Sequence, residues 1–234
     1  MKRSQPHRES AAAARDYDEM APDYDEVVAR VCHYFKDVKA FVDRAIKPGM
    51  RVLDLGCGTG LNTRSLGPDV EVVGLDLSPA MLAKTKKARP GTIVRLHDLN
   101  RPLPRGLGRF DVVLAVACLE FCRDLPLLSR RIASVLKPGG VVLLTVPHRE
   151  RGDVAASPLA KPFPDLIWHL FSQADAKAAL TSAGLQPGGG RLVRGWTVTP
   201  GRRLVRYALW TGRKGMAGSR KPEAGSPRPR RSRA

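Results

Sequence analysis

The sequence predicts an α/β protein built on a doubly wound, mostly parallel β-sheet, and two observations support this. Short runs of aliphatic and β-branched residues alternate with longer amphipathic segments along most of the chain. The short runs are apolar throughout, which is typical of parallel strands that helices cover on both faces. Five such strands are predicted: Arg51–Leu55, Val70–Leu75, Thr92–Leu96, Phe110–Val116 and Val141–Val146.

The segment before the first strand is predicted to be partly helical. Residues 1–15 are polar, basic and rich in alanine, and we expect them to be disordered. From Asp16 to Ile46 the apolar residues recur every three or four positions, which predicts amphipathic helix. Lys47-Pro48-Gly49 ends this segment. Three more helices are predicted between the strands: Leu61–Leu66, Pro79–Ala88 and Leu125–Leu136.

The last part of the chain predicts a helix, a hairpin and a tail. Ser172 caps a helix that extends to Ala183 and ends at Gly184. A loop over Gln186–Gly190 follows. Two strands joined by the turn Thr199–Arg202 then form a hairpin: Arg191–Val198 and Leu204–Gly212. Residues 214–234 are rich in Arg, Pro, Gly and Ser, which predicts a basic disordered tail.

Composition and charge exclude several classes of protein. With 43% hydrophobic residues the chain can build a core, so global disorder is excluded. We find no apolar run near the ~20 residues of a membrane-spanning helix and no secretory signal, and the four cysteines fit a reducing compartment. We therefore expect a cytoplasmic protein. Cys118 and Cys122 have no Cys or His partners at metal-binding spacing, so no metal site is expected.

The net charge of +18 is concentrated at one end of the chain. From Lys177 to Ala234 there are 14 basic residues and one acid, Glu223, which gives 14 − 1 = +13. The other 176 residues carry 26 − 21 = +5. A nucleic acid or an anionic surface is therefore a possible partner of this C-terminal quarter only, and a solvated tail without function is the alternative.

The strongest motif is the glycine-rich turn that follows the first strand, in Val52–Gly60. Glycines let a backbone approach a ligand closely, and the helix predicted to follow would offer free N–H groups. The third glycine of the dinucleotide fingerprint is missing, because Leu61 stands there. Asp54 precedes the first glycine by two residues, and a carboxylate there suits a ligand that carries an ammonium group.

Two further acids follow the second and third strands. Asp76 lies 76 − 54 = 22 residues beyond Asp54, about the offset at which an acid binds both ribose hydroxyls in doubly wound nucleoside sites. Asp98 ends the third strand, where an adenine amino group would lie. The alternatives are that Asp76 only caps a helix and that Asp98 is only a turn residue.

Taken in order, these motifs resemble those of class I S-adenosylmethionine-dependent methyltransferases of the small-molecule, ubiquinone-biosynthesis-like type. The residues that carry the resemblance are VLDLGCGTG, VVGLDLSPAML, HDL, FDVVLAVACLEF and LKPGGVVLLTVP, within a domain that we place at residues 16–213. The resemblance implies a Rossmann-like, seven-stranded sheet in the order 3-2-1-4-5-7-6. It also implies S-adenosylmethionine as the cofactor.

The resemblance also implies which residues would bind the cofactor. Backbone and water contacts to the methionine portion would come from Asp54, Gly56, Cys57 and Gly58, and contacts to the ribose would come from Asp76. Contacts to the adenine would come from Leu77, Met81, Asp98 and Leu99. The ammonium group would donate to the backbone oxygens of Ala115 and Val116, and the pocket would be closed by Leu119 and Tyr24. Residues 16–46 would form a helical lid. Tyr24 could instead be a core aromatic residue of that lid.

The catalytic group and the acceptor are less well defined by the sequence. A sulfonium methyl group is already activated, so transfer needs alignment and desolvation more than acid–base chemistry. If a base is needed, His148 and Glu120 are the candidates. The insertion at residues 147–171 holds Phe163, Ile167 and Trp168 among prolines, which favours a small or lipid-like acceptor. The alternatives are an RNA methyltransferase that uses the basic end, a membrane-associated lipid methyltransferase, and a cofactor-binding protein without activity.

Overall fold

The computed structural model describes residues 8–149, 156–158, 167–198 and 203–216. Its helices are α1 (Arg8–Met20), α2 (Tyr24–Val31), α3 (Phe35–Ala45), α4 (Pro79–Ala88), α5 (Leu125–Val135) and α6 (Gln173–Ser182). Its strands are β1 (Arg51–Leu55), β2 (Glu71–Asp76), β3 (Ile93–Leu96), β4 (Phe110–Ala115), β5 (Leu136–Pro147), β6 (Ala156–Pro158), β7 (Ile167–His169), β8 (Leu185–Val198) and β9 (Arg203–Lys214).

Seven of these strands form one sheet in the order β3-β2-β1-β4-β5-β9-β8. The first five are parallel, whereas β9 pairs antiparallel with both β5 and β8. Because β6 and β7 form a separate antiparallel pair, β8 and β9 are the sixth and seventh strands of the main sheet. The predicted fold class and the predicted order 3-2-1-4-5-7-6 are therefore confirmed.

The core lies on both faces of the sheet, as the continuous apolar strands predict. On one face, α5 and α6 cover Leu53, Val113 and Leu144. On the other face, α1 and α3 cover Val52 and Leu114. Neighbouring residues of β1 thus pack against different helix layers, since successive side chains of a strand point to opposite faces.

The N-terminal segment differs from the prediction, because α1 begins at Arg8 and not at Asp16. The expectation of disorder was therefore wrong from residue 8 onward, while residues 1–7 lie outside the described part of the chain. Alanine has the highest helix propensity, and Ala12 and Ala13 are buried against the same core as α3. Short apolar side chains are enough here, because the helix packs closely against the rest of the molecule.

Two other local predictions were wrong. Leu61–Leu66 forms consecutive turns instead of a helix, because the segment is short, contains Asn62 and Thr63, and ends before Gly67-Pro68. Gln186–Gly190 belongs to β8, with a shift of register between Pro187 and Gly190. A Cβ on Gly190 would lie 2.1 Å from Cε2 of Trp210, so glycine allows the two strands to approach here.

The remaining boundaries differ by little. The Ser172 cap is present as a capping box with Asp175. The predicted tail at 214–234 starts too early, since β9 includes Lys214, and residues 217–234 lie outside the described part. Of the predicted insertion at residues 147–171, the structure describes β6 and β7 and the flanking residues, whereas Phe163 lies outside it.

Candidate functional site

The carboxyl ends of β1, β2, β3 and β4 meet at one edge of the sheet. In the paired register Leu55 lies beside Leu75 and Ala115, and Asp76 lies beside Leu96. The loops after these strands therefore meet and, together with α1, enclose a cavity, which we call the first cavity. Its lining consists of Ser10, Ala13, Ala14, Tyr17, Tyr24, Gly56, Gly58, Asp76, Leu77, Ser78, His97, Asp98, Leu99, Asn100, Ala117, Cys118, Phe121, Arg123 and His169.

The glycine-rich turn after β1 forms the floor of this cavity. Gly56 and Gly58 have φ values of 66° and 54°, which side chains rarely adopt. A Cβ on Gly56 would lie 2.4 Å from Cβ of Cys118, so the turn is pressed against the loop after β4. The N–H of Gly56 donates to the carbonyl oxygen of Leu75 at 2.7 Å. Only glycine therefore allows this turn to reach the strand ends.

Asp76 lies at the end of β2 and lines the first cavity. One carboxylate oxygen accepts a hydrogen bond from the N–H of Gly58 at 2.8 Å, and the other accepts one from the N–H of Ser78 at 2.9 Å. Burial raises the pKa of Asp76, while these backbone N–H groups act in the opposite direction. The carboxylate is thus held in one orientation against the glycine-rich turn.

Asp54 is completely buried below the same turn. Its Oδ2 accepts a weak hydrogen bond from Oγ1 of Thr63 at 3.4 Å. Its Oδ1 has no hydrogen-bond partner among the residues that the structure describes. Burial raises the pKa of Asp54 to about 7. A carboxylate that is costly to ionise therefore lies where the turn approaches the cavity.

The loops after β3 and β4 are joined by Asn100. Its side-chain amide nitrogen donates to Asp98 at 3.2 Å and to the carbonyl oxygen of Phe121 at 2.9 Å. Its amide oxygen accepts from the N–H of Arg123 at 3.0 Å. In the same loop after β3, burial lowers the pKa of His97. These contacts make one wall of the first cavity a continuous polar network.

Helices α1 and α2 are attached to the cavity by two acids. Oδ1 of Asp18 in α1 accepts hydrogen bonds from Oγ of Ser78 and from the N–H of Ala80 at 3.0 Å, at the start of α4. Asp25 in α2 accepts from Oγ1 of Thr59 at 2.6 Å and forms an ion pair with Arg64. The helical segment thus covers the site in this conformation.

A second cavity adjoins the first and shares four residues with it: Tyr24, Gly56, Gly58 and Ala117. Its other lining residues are largely apolar and aromatic, and they are Val28, Cys32, Tyr34, Phe35, Val38, Cys57, Thr59, Leu61, Asn62, Val116 and Trp196. Ala117 lies between the two cavities with a φ of 53°, which is strained for a residue other than glycine. Its N–H donates to Oγ1 of Thr145 at 2.8 Å, which holds this conformation.

The structure places most of the sequence-predicted residues at these cavities. Seven line the first cavity: Tyr24, Gly56, Gly58, Asp76, Leu77, Asp98 and Leu99. Two more line the second: Cys57 and Val116. Six line none of the cavities described, and they are Asp54, Met81, Ala115, Leu119, Glu120 and His148. The first five of these six are buried.

The two candidate bases differ in position. Glu120 is buried in the 3₁₀ turn Leu119–Phe121 that follows β4. His148 follows β5, where its N–H donates to the carbonyl oxygen of Arg206 at 2.9 Å and its backbone pairs with Phe171. Burial raises the pKa of Cys118 well above its usual range and that of Cys122 to about 12, which disfavours the thiolate form of both side chains.

Sequence reasoning missed Ser10, Ala13 and Ala14 of α1, because it placed residues 1–15 in a disordered segment. It also missed Asn100, although this residue follows the Asp98 motif within two positions. In the part of the chain that the structure describes, no group of three or more His, Cys, Asp or Glu side chains could hold a metal ion. No helix of that part is both long and apolar enough to cross a membrane.

The strand order and the glycine-rich turn at the strand ends are those of the class I methyltransferase fold. Residues 26–187, more than half of the chain, match the family described as "Methyltransferase domain", and the chain belongs to this family. S-adenosylmethionine is the cofactor of this class.

Two relatives that are named as methyltransferases support the same assignment. Trans-aconitate 2-methyltransferase of Deinococcus radiodurans is 36% identical over 124 residues, which are 49% of this chain and 47% of that protein. Ubiquinone biosynthesis O-methyltransferase of Xanthomonas axonopodis pv. citri is 31% identical over 160 residues, or 62% of this chain and 67% of that protein. The chain thus spans about half of the first relative and two thirds of the second.

Solved structures agree on the fold. The 1,6-didemethyltoxoflavin-N1-methyltransferase of Burkholderia thailandensis, with bound 1,6-didemethyltoxoflavin and S-adenosylhomocysteine, superposes with a TM-score of 0.66 at 20% identity. The match covers 92% of each chain. At this identity the likeness concerns the fold alone.

Proposed function

We propose that this protein transfers the methyl group of S-adenosylmethionine to a small-molecule acceptor. The observation that carries the proposal is the arrangement at the sheet edge, where Asp76 lines a cavity beside the glycine-rich turn and an oxygen of Asp54 lies buried without a partner among the described residues. A nucleoside that carries an ammonium group would offer its ribose hydroxyls to Asp76 and place its positive charge near Asp54.

Different residues would contact different parts of the cofactor. Asp54 would face the ammonium side, with Gly56, Cys57 and Gly58 along the methionine portion and the backbone oxygens of Ala115 and Val116 near its ammonium group. Asp76 would accept hydrogen bonds from the ribose. Leu77, Met81, Asp98 and Leu99 would surround the adenine, while Leu119 and Tyr24 would close the pocket. Met81 is fully buried and packs with Tyr24, so it would act by supporting the wall.

The bound cofactor supplies an electrophilic methyl group, and the chain supplies its alignment and the exclusion of water. Ser10, Ala13, Ala14 and Tyr17 of α1 cover the first cavity from above. The small side chains of this helix let its backbone approach the cavity closely. The hydrogen bonds of Asp18 to the start of α4 hold the helix in this covering position.

A small molecule is the acceptor that these observations favour. Both cavities lie under the helical cover, and the second is lined mainly by apolar and aromatic residues, which suits a compact apolar ligand. The relatives named above carry small molecules in their names. No contact in the described part of the chain favours RNA as the acceptor, and the most basic segment lies outside that part.

Calorimetric titration with S-adenosylhomocysteine tests the cofactor site. Asp76→Asn keeps the shape of the side chain but removes its charge, and charge-assisted hydrogen bonds contribute about 1.5–3 kcal/mol each. We expect the affinity of Asp76→Asn to be lower by about 10- to 100-fold. Asp43→Asn, on the exposed face of α3, should bind as the wild type does. No binding by the wild type, or equal binding by Asp76→Asn, would refute the proposal.

The acceptor itself can be found by labelling. Incubation of a lysate with the protein and methyl-labelled S-adenosylmethionine should transfer label to a metabolite of low molecular mass. Label that appears in RNA instead would show that the acceptor is not a small molecule.

A further inference from the structure

The strand β3, at one edge of the main sheet, exposes two large apolar side chains. Ile93 is 45% and Leu96 is 56% exposed, and in the described part of the chain Met216 is the only other large apolar residue that is exposed. Successive side chains of a strand point to opposite faces of the sheet. Ile93 therefore shares one face with Arg95, and Leu96 shares the other with Val94. Apolar surface is exposed on both faces of this edge.

The backbone of β3 is paired on one side only. Among the strands that the structure describes, β2 alone pairs with it. The N–H of His97, directly after the strand, donates to the carbonyl oxygen of Asp76 in β2 at 2.7 Å. Neighbouring residues of a parallel strand direct their N–H and C=O groups to opposite sides, so those of Val94 and Leu96 point away from β2. An edge of this kind is able to accept another strand.

The chain around β3 is strongly basic. The segment between Asp76 and Asp111 has eight basic residues and one acid, Asp98, which gives 8 − 1 = +7. The first 176 residues together carry only +5, so the rest of them carry 5 − 7 = −2. Asp98 is buried. The positive charge of the first three quarters of the chain is therefore concentrated around this edge.

Three of these cations lie beside the strand, and all three are exposed: Lys86, Arg95 and Arg105. Nζ of Lys86 donates to the carbonyl oxygen of Thr92 at 3.0 Å, next to the start of β3. Nη1 of Arg95 lies 3.5 Å from the carbonyl oxygen of Arg105. None of the three forms an ion pair with an acid among the described residues. Their charges are therefore available to an anionic partner.

A polypeptide strand fits this edge better than a membrane or a nucleic acid does. In lipid, the free N–H and C=O groups of Val94 and Leu96 would have no partners, which is costly, and a flat surface would not cover both faces of the edge. Single-stranded nucleic acids bind through bases that stack on aromatic side chains. No Phe, Tyr or Trp stands between Asp76 and Phe110, and Phe110 is completely buried.

Self-association does not explain the edge either. A second copy of β3 would bring a segment of +7 against another segment of +7. Charged residues also protect sheet edges from unwanted pairing. Protection alone, however, does not require Ile93 and Leu96 to be exposed. The combination of apolar side chains, free backbone groups and unpaired cations favours a partner of opposite charge.

We propose that β3 binds an acidic, extended segment of a partner protein, which adds an eighth strand to the seven-stranded sheet. Its backbone pairs with the free groups of Val94 and Leu96. Its side chains beside Ile93, Val94 and Leu96 are apolar, and its side chain beside Arg95 is acidic. Further acids before and after this stretch pair with Lys86 and Arg105. This interaction is independent of methyl transfer and of the cofactor.

Amide hydrogen exchange of the full chain, followed by NMR, tests strand addition directly. The probe is the end-blocked peptide Asp-Ile-Val-Glu-Val-Ile-Asp at about 1 mM. Its sequence presents the same pattern in both directions, so it fits a parallel and an antiparallel strand. We expect the exchange of the Val94 and Leu96 amides to slow at least about tenfold, which corresponds to a Kd of about 0.1 mM.

Two altered peptides separate strand addition from simple attraction between charges. A peptide with lysine in place of its three acids should give no protection, because it repels the basic edge. A peptide with methylated backbone nitrogens keeps its three acids but cannot donate hydrogen bonds to the edge. It should therefore give no protection of the Val94 and Leu96 amides either.

Variants of the protein locate the binding surface. Leu96→Glu and Arg95→Glu each place a negative charge against the acidic peptide and should weaken its binding at least about tenfold. Met216→Glu and Lys177→Glu are matched changes at exposed positions outside β3 and should bind the peptide as the wild type does. All four positions are exposed, so each variant should keep the melting temperature of the wild type.

Three results would overturn the inference. The first is an absence of protection by the acidic peptide, and the second is equal protection by the methylated peptide. The third is protection of the same amides by an RNA oligonucleotide, or by phosphatidylserine vesicles, that exceeds protection by the peptide. That result would show that the edge binds nucleic acid or lipid instead of a polypeptide strand.

Discussion

At the scale of single residues, Asp54 gives a prediction about proton release. Its buried carboxyl has a pKa of about 7 in the ligand-free chain, so it is mostly protonated at pH 6. A bound ammonium group nearby favours the ionised form and lowers this pKa. Binding of S-adenosylmethionine at pH 6 should therefore release about 0.5 to 1 proton from Asp54, and at pH 8, where this carboxyl is already ionised, Asp54 should release almost none.

Calorimetry in buffers of different ionisation enthalpy measures this release. Asp54→Asn should abolish it. Glu71→Gln should not change it, because Arg51 lowers the pKa of Glu71, which is therefore ionised in both states. If Asp54→Asn releases as many protons as the wild type at pH 6, another group titrates on binding, and the role proposed for Asp54 is wrong.

At the scale of elements, Asp18 predicts how the helical cover is held. Its carboxylate accepts hydrogen bonds from the hydroxyl of Ser78 and from the N–H of Ala80 at the start of α4. The helix dipole also favours a negative charge at this position. Asp18→Ala should detach α1 from α4 at a cost of about 1–2 kcal/mol. Since α1 covers the first cavity, the affinity for S-adenosylhomocysteine should fall about tenfold.

Hydrogen exchange of the α1 amides, measured by mass spectrometry, should increase in Asp18→Ala, while exchange in β1 and β4 should not. Glu19→Ala is the matched control, because Glu19 is an exposed acid of the same helix. Faster exchange throughout the sheet of Asp18→Ala would show a general loss of stability, and the role of Asp18 as a link between α1 and the cavity would then be rejected.

The elements also show how far the sequence predicted the site. Residues after apolar strands, such as Gly58 and Asp76, were found because a parallel sheet brings its carboxyl ends to one edge. Those of α1 were not found, because an alanine-rich segment shows little apolar periodicity even though alanine favours a helix and packs closely against the core. The Leu61–Leu66 error has the opposite cause, since a short apolar spacing favoured a helix that its polar residues and Gly67-Pro68 do not support.

At the scale of the whole molecule, the resemblance of the motifs to a known family implied the strand order, but it did not imply which distant residues are in contact. Glu120 and Tyr207 are 87 positions apart, and their hydrogen bond depends on β9 lying next to β5. No local pattern indicates which aromatic residue meets which acid across the sheet. The position of the candidate site was therefore predictable from the sequence, whereas the contact between Glu120 and Tyr207 was not.

The basic C-terminal end gives the last prediction, which concerns where the folded domain stops. Nζ of Lys214 donates to the carbonyl oxygens of Ala133 and Leu136 at 2.6 and 2.8 Å, at the end of α5, where a cation is also favoured by the helix dipole. Residues 217–234 carry six basic residues and one acid. Deletion of residues 217–234 should therefore leave the melting temperature and the affinity for S-adenosylhomocysteine unchanged. Deletion of residues 214–234 should cost about 2–4 kcal/mol, because two hydrogen bonds of a charged group are lost. For a chain of this length this corresponds to a decrease of about 4–16 °C in melting temperature.

Differential scanning calorimetry of both deletions measures the difference. Equal destabilisation by the two deletions would show that the folded domain extends beyond Met216, and loss of methyl transfer to total RNA on deletion of residues 217–234 would show that the basic end binds an RNA acceptor.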